Sequence, residues 1–401
     1  RDQDDYFAGV GVENLKGHFI QAEDNPDLMV DVLQHISVRR SREFVRQNYR
    51  EAEIDGRVMR FPNRELHKIG YNLQQAYEGL YEQAADTIEH LVLAPYLVEF
   101  YRNDVPSLYR QMAGEDIDFK NLPLELSWQL GRQLSIASML RLLYLKRLES
   151  SVTALRISFD RQVRFQKQFL AQLTQGRLLS SKNFQKMESI LRKMGDNEDG
   201  EDGRELDEND ARIAEILNQL EPVNAAEYDL PAIQRAVEHD IDLLSRMSAR
   251  LQPLTAAEDD KLNALKSQLT GELRGKKVIV FSYFKDTARY IYNALRKDEK
   301  FVAALGHNRI AICDSGADTQ ERRDRVIRFS PTTYDRSEIK GTDKELDLLI
   351  STDVLSEGQN LQDSDTLINY DLHWNPVRMV QRAGRIDRLG SQFDVAHIHN
   401  F

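Results

Sequence analysis

Apolar residues along the chain change their spacing near Gly275. Upstream they recur every three or four positions, the interval that places side chains on one helix face. Downstream they come in short unbroken runs, as in strands buried on both faces. Tyr77, Leu80, Tyr81, Ala84, Ile88 and Leu91 predict an amphipathic helix over residues 74–100. Leu148, Val152, Leu155, Phe159 and Val163 step by four, three, four and four, so they line one face of a further helix in the proline-free stretch between Pro123 and Pro222. Helical spacing resumes over about 211–269. Ahead of these, Phe61-Pro62-Asn63 reads as a turn and residues 66–73 as a short strand.

The downstream runs, at 277–282 (KVIVFS), 309–313, 346–351, 366–370 and 395–400, predict strands. Helical patterns at 287–295, 320–329 and 377–389 separate several of them. Strand–helix alternation means a parallel, doubly wound α/β sheet, preceded here by a mostly α-helical region. Sheets of this kind bind ligands beyond the carboxyl ends of their strands. The boundaries expected are a connecting segment at 1–60, a helical region at 61–270 and an α/β lobe at 271–401.

With 401 residues and 41% hydrophobic content, the chain is long enough for two or three domains. No apolar run reaches the length that a membrane-spanning helix needs. The first ten residues, RDQDDYFAGV, lack the basic start and apolar core of a signal peptide, and the absence of an initial Met suggests a piece of a longer protein. Cys313 is the sole cysteine, which excludes intrachain disulfides and cysteine-cluster metal sites and makes a cytoplasmic location the default. A net charge of −11 means that any nucleic-acid contact must come from a local cleft instead of a global basic field. Residues 195–210 (GDNEDGEDGRELDEND) are acidic, glycine-bearing and free of aromatics, so they predict a loop or linker. Arg147, Arg156, Arg161, Arg164 and Lys167 fall largely off the apolar helix face and read as a solvated surface.

The chemistry concentrates in Gln381-Arg382-Ala383-Gly384-Arg385-Ile386-Asp387-Arg388-Leu389-Gly390. Arg385 and Arg388 are three apart, so on a helix both guanidiniums reach the same side. Two permanently charged planar forks suit a γ-phosphate, where negative charge spreads over three oxygens. Taken alone, the two arginines fit salt bridges with Asp387 and Asp394 better than a phosphate site. They are accompanied by Ser351-Thr352-Asp353-Val354-Leu355-Ser356-Glu357-Gly358-Gln359-Asn360-Leu361-Gln362 after one strand, Asn369-Tyr370-Asp371-Leu372-His373-Trp374-Asn375-Pro376 after another, and Asp314-Ser315-Gly316 leading to Glu321-Arg322-Arg323 after a third.

In order and spacing these blocks resemble motifs IV, V and VI of Swi/Snf-type superfamily 2 helicases, and look most like bacterial members. Residues 277–284 resemble motif IV, Thr352 with Gly358, Asn360 and Leu361 motif V, and 381–390 motif VI; Val38-Arg39-Arg40-Ser41-Arg42 resembles the segment leaving the first lobe, and 146–151 (KRLESS) is similar to bacterial members. Asp387 stands where many members have His and Ser391 where many have Gln, which puts remodeller-like partners in doubt and leaves the fold untouched.

The resemblance implies a RecA-like lobe over 271–401, with residues 1–60 as the tail of a first lobe. It implies a parent protein that hydrolyses ATP and moves along DNA, double-stranded and without strand separation. Arg385 and Arg388 would be arginine fingers, with Gln381, Glu357, Gly358 and Asp387 near the nucleotide. Ser282, Ser315, Gly316, Thr352, Asn360 and Trp374 would face the nucleic-acid backbone. No Walker A loop is present, since Gly275-Lys276-Lys277 precedes a strand instead of following one. ATP and Mg²⁺ are therefore expected on the N-terminal ATPase lobe of the same polypeptide, with none bound and no turnover by this piece alone.

Two rival readings stand beside this one. The helical region is alternatively a non-catalytic module docking RNA polymerase or a defence-complex partner, or the lobe is an unrelated doubly wound enzyme that binds a small nucleotide by itself. Cys313 reads as a small buried hydrophobe and His373 as loop-exposed. His397 and His399 share one strand face but lack visible further ligands, so no metal site is expected. The aromatics of 74–165 read as core.

Overall fold

The structure, a computed structural model, describes residues 61–72, 79–107, 109, 122–178, 181–196, 215–222, 224–355, 359–373, 375–389 and 391–401, with short strands at 53–54 and 57–58. The acidic stretch 197–210 and the basic cluster at 38–42 lie outside the described residues. Two units are distinguished, 1–61 and 62–401. In the first, β1 (Glu53–Ile54) pairs antiparallel with β2 (Arg57–Val58).

The second unit opens on β3 (Asn63–Lys68), followed by α1 (Leu80–Glu89), α2 (Leu124–Ser150), α3 (Val152–Leu173), β4 (Arg177–Leu178), α4 (Ser181–Asp196), β5 (Glu221–Pro222) and α5 (Leu230–Leu251). The predicted face of Leu148, Val152, Leu155, Phe159 and Val163 is buried throughout, but it spans two helices. Ser151 takes an extended conformation (φ −160°) and its hydroxyl accepts from Ala154 N at 3.1 Å, so the chain restarts as a capped helix. The helix expected over 74–100 ends at Glu89. Beyond it, the amides of Val92 and Leu93 donate to the buried Asp240 carboxylate of α5, at 2.8 and 2.7 Å, which removes them from any helical ladder. Burial raises the Asp240 pKa, and those same hydrogen bonds oppose the rise. The aromatics Tyr96, Phe100, Tyr101, Tyr144, Phe159 and Phe165 belong to this helical core.

The chain then forms α6 (Asp260–Thr270), β6 (Val278–Phe281), α7 (Lys285–Lys297), α8 (Glu299–Leu305), β7 (Ile310–Cys313), α9 (Thr319–Phe329), β8 (Leu348–Ser351), β9 (Thr366–Asn369), α10 (Pro376–Ala383) and β10 (Val395–Asn400). All five predicted strands are present. They build a parallel sheet in the order β3-β10-β9-β6-β8-β7. Period-two alternation sends Val278 and Val280 to one face, against Leu262, Leu265 and Leu269 of α6 and Ile291 and Leu295 of α7. Ile279 and Phe281 go to the other, against Val326 and Phe329 of α9 and Ala383 and Ile386. The sheet is thus covered on both sides, which is why its strands read as unbroken apolar runs.

Three differences from the sequence reading concern this lobe. Residues 63–68, grouped with the helical region, form its edge strand, and α6 packs on its core as well. The helix expected over 377–389 stops at Ala383, because the Arg385 carbonyl accepts from Leu361 N at 3.0 Å and cannot continue the helical ladder. Pairing of β10 with β3 sets Glu65 opposite His397 and His67 opposite His399, supplying the neighbours that the sequence left unseen.

The α2–α3 junction is where the helical region meets the lobe. Ser150 Oγ donates to Asp371 Oδ2 at 2.6 Å and meets Thr287 Oγ1 at 2.8 Å, while Ser151 Oγ lies 3.0 Å from Thr287. Arg147 and Arg161, expected on a solvated face, both reach Asp286 of α7, at 2.9 and 3.2 Å. Arg164 and Lys167 are exposed as expected. Lys261 of α6 donates to the carbonyls of Glu149 (2.8 Å) and Ser150 (3.4 Å) at the end of α2 and sits 4.5 Å from the Tyr370 ring centre.

Burial lowers the Lys261 pKa from 10.5 to about 8, against the opposing pull of Asp371, Asp259 and Glu149. Between those values the unfolded chain holds the proton and the folded chain does not. The cost of burying this charge is therefore full below pH 8 and relieved as pH rises toward 10.5. In urea titrations, wild type should gain about 2 kcal/mol of unfolding free energy relative to Lys261→Met between pH 8 and 10. A difference that stays flat across that range would remove Lys261 as the titrating group.

Candidate functional site

Register brings four strand ends into one row. Phe281 lies opposite Ser351 and Asn369, and Cys313 opposite Ser351. Ser282, Asp314, Thr352 and Tyr370 thus emerge side by side at the carboxyl edge of the sheet, where ligands of parallel sheets bind.

Asp371 and Arg382 organise this edge. The Asp371 carboxylate accepts from Ser282 Oγ at 2.7 Å, Tyr283 N at 2.5 Å and Ser150 Oγ. Arg382 of α10 is fully buried and forms a bidentate pair with Asp353, at 2.6 and 2.7 Å. It also donates to Asn369 Oδ1 (3.2 Å) and the Asp371 carbonyl (3.1 Å), and lies 5.4 Å from the Phe281 ring centre. One guanidinium therefore joins the loop after β8, the end of β9 and α10. The sequence reading passed over Arg382; its signal was an arginine at a position where helical spacing points into the sheet.

Arg385 and Arg388 do not share a helix face, since both lie in the turn beyond α10, but they still converge. Arg385 Nη1 donates to Gln359 O at 3.1 Å, and Arg388 Nη1 to Asn360 Oδ1. Arg388 Nε also donates to Gly384 O at 3.0 Å. Arg385 is buried, Arg388 half-buried. Gln381 is half-buried on α10, its Oε1 3.4 Å from Arg378 Nη1.

The remaining candidates divide. Ser315 and Asn360 are half-buried, Gly316 is exposed, and Thr352 is buried at the sheet edge with its amide on Cys313 O at 3.1 Å. Ser282 is fully buried on Asp371, and Asp387 is buried with an ion pair to Arg64 of β3, so both serve the scaffold in the structure instead of facing a cleft. Glu357, Gly358 and Trp374 lie outside the described residues. His373, expected to be exposed, is 6% exposed; its Nδ1 accepts from Asn375 N at 2.9 Å and its ring abuts Tyr283. Cys313 is buried as expected, its thiol pushed up to about 12 by burial.

A doubly covered parallel sheet with this polar edge and arginine turn is a RecA-like α/β lobe. Residues 260–390 match the sequence model of the helicase conserved C-terminal domain. These residues are a helicase C-terminal lobe. The chain is 54% identical over 56 residues to an uncharacterized ATP-dependent helicase of Bacillus subtilis, YqhH, covering 14% of this chain and 10% of that protein. It is 31% identical over 137 residues to the RNA polymerase-associated protein RapA of Photobacterium profundum, covering 34% of this chain and 12% of the relative. The matched segments thus span about a tenth of the length of these relatives. Among solved structures, the C-terminal part of the Fun30 ATPase domain aligns with a TM-score of 0.37 and 16% identity over 85% of each chain. Among the described residues, no helix is long and apolar enough to cross a membrane.

Replacing Arg382 with Met leaves the half-buried Asp353 without its cation and the Asn369 and Asp371 oxygens without their buried donor, a change that costs about 1–3 kcal/mol. The melting temperature of the chain should fall sharply with Arg382→Met and stay near wild type with Arg388→Ala, as read by circular dichroism. Equal melting of the two variants would contradict the scaffold role of Arg382.

Proposed function

We propose that this chain supplies the second, arginine-bearing lobe and part of the DNA cleft of an ATP-dependent, Swi/Snf-type translocase acting on double-stranded DNA. The observation that carries the reading is the convergence of Arg385 and Arg388 on residues 359–360, beside the strand ends. ATP and Mg²⁺ are held mainly by an N-terminal lobe of the same polypeptide, and ATP brings the γ-phosphate whose transfer drives the motor. The contribution of this chain is positive charge: Arg388, the more accessible, and Arg385 turn from Asn360 and Gln359 toward phosphate oxygens. That exchange frees the 359–360 segment, next to the nucleic-acid contacts, and so couples nucleotide state to DNA grip. Gln381, Glu357 and Gly358 border the nucleotide. Ser315, Gly316, Thr352, Asn360 and Trp374 position sugar-phosphate oxygens without reading sequence. Leu372, Val377 and Val380, at 50%, 59% and 55% exposure, flank the arginine turn and offer an apolar face to the opposing lobe. The setting is cytoplasmic.

A second reading, compatible with the first, has the helical region dock a protein. Leu124, Trp128 and Leu142 of α2 are 76%, 68% and 57% exposed, and the name of one relative pairs it with RNA polymerase. Loss of binding to purified RNA polymerase on Trp128→Ala is its expected signature, and binding unchanged by that substitution refutes it.

For the first reading, an arginine finger typically contributes 10³–10⁵-fold to turnover. DNA-stimulated ATP hydrolysis by the full-length protein should fall by about that factor with Arg388→Ala, while the isolated chain should show none. Turnover retained by the variant, or shown by the isolated chain, would overturn the split-site reading.

A further inference from the structure

We propose that Glu65, His67 and His397 bind a divalent transition-metal ion, zinc being the best match, across the β3–β10 strand pair. The site is separate from the arginine turn and independent of the reading above. His67 Nε2 and His397 Nδ1 are 3.1 Å apart, and Glu65 Oε2 lies 3.5 Å from the latter and 3.9 Å from the former. With those three edges, a point about 2.1 Å from all three atoms exists, close to the ~2.0–2.2 Å bonds that zinc makes to imidazole nitrogen and carboxylate oxygen.

The donor set is chemically selective. Two imidazoles and one carboxylate suit zinc and its first-row neighbours, whereas calcium and magnesium favour all-oxygen sites. The donors sit on two hydrogen-bonded strands, so their backbones are already placed; Glu65 faces His397 and His67 faces His399 in register. His399, 3% exposed, stacks on His67 with ring centres 4.5 Å apart at 19°, which fixes the plane of that ligand. Side-chain exposures of 55%, 34% and 25% for Glu65, His67 and His397 leave the ion an entry path and room for a water in a fourth position. A His67–His397 hydrogen bond accounts for one of the three short distances, and the Glu65 carboxylate, within ion-pair reach of both imidazoles, supplies the third donor.

The consequence is a clamp. Among the described residues β3 is the edge strand, paired to β10, and His67 and His397 are 330 positions apart. An ion held by both strands ties the entry of the lobe to its last strand.

The test uses the full chain, stripped of metal and titrated with Co²⁺, followed by displacement with Zn²⁺. Expected are one Co²⁺ per chain with the visible absorption of a low-coordinate nitrogen–oxygen site, and its loss on adding one Zn²⁺. His67→Gln and His397→Gln should each weaken binding more than about tenfold, a loss that supporting groups alone can cause. Glu65→Gln, an exposed change that leaves the fold intact, should weaken it measurably, and His90→Gln on α1 should have no effect. Absence of stoichiometric cobalt binding, or binding unchanged by Glu65→Gln and either histidine variant, overturns the site.

Discussion

A buried positive charge holds the carboxyl edge of this sheet together. Arg382 has no contact with solvent, and a guanidinium in that position is tolerated only when its donors are met. Asp353, Asn369 and the Asp371 carbonyl meet them, and those acceptors lie at the carboxyl ends of β8 and β9, the two strands that flank β6. The loop after β8, the end of β9 and the start of the arginine turn are therefore fixed relative to one another by a single side chain. Everything else at this edge, including where Arg385 and Arg388 emerge, depends on that geometry.

The Asp371 carboxylate extends the same network outward. Its oxygens take Ser282, the Tyr283 amide and Ser150, so a strand end of the lobe and the break between α2 and α3 share one acceptor group. Asp286 does the same for Arg147 and Arg161. The helical region is thereby seated on the lobe by buried polar contacts. Such contacts are demanding in geometry, because an unmet buried partner is costly. A change at the carboxyl edge of the sheet thus has a physical route to the helices that runs through Asp371 and Ser150.

The opposite flank of the sheet is built differently. β3 comes from far earlier in the chain and closes the sheet on β10, with exposed side chains and the imidazoles of His67, His397 and His399 gathered there. Arg64 of the same strand pairs with Asp387 in the arginine turn, so this edge also touches the candidate site.

Much of the lobe was legible in the sequence because its strands are buried on both faces and its polar blocks follow them: 277–282 and its counterparts needed only hydrophobic runs to be located, and Arg385, Arg388 and Asn360 only their order along the chain. Local pattern has no access to contacts between distant segments. The Leu361 amide ended a helix that periodicity extended to 389, Asp240 diverted the backbone at Val92 and Leu93, Asp286 turned two apparently solvated arginines inward, and Asp371 and Asp387 became scaffold groups. The three-sided cluster of Glu65, His67 and His397 shows the same limit, since His397 lies 330 positions beyond His67 and meets the pair only through strand register. The sequence by itself determined the elements, their order and the residue types available for chemistry, because side-chain hydrophobicity and backbone preference act over a few positions. Which polar groups face each other was decided by tertiary structure alone, since burial compels each charge to find a partner wherever the fold brings one.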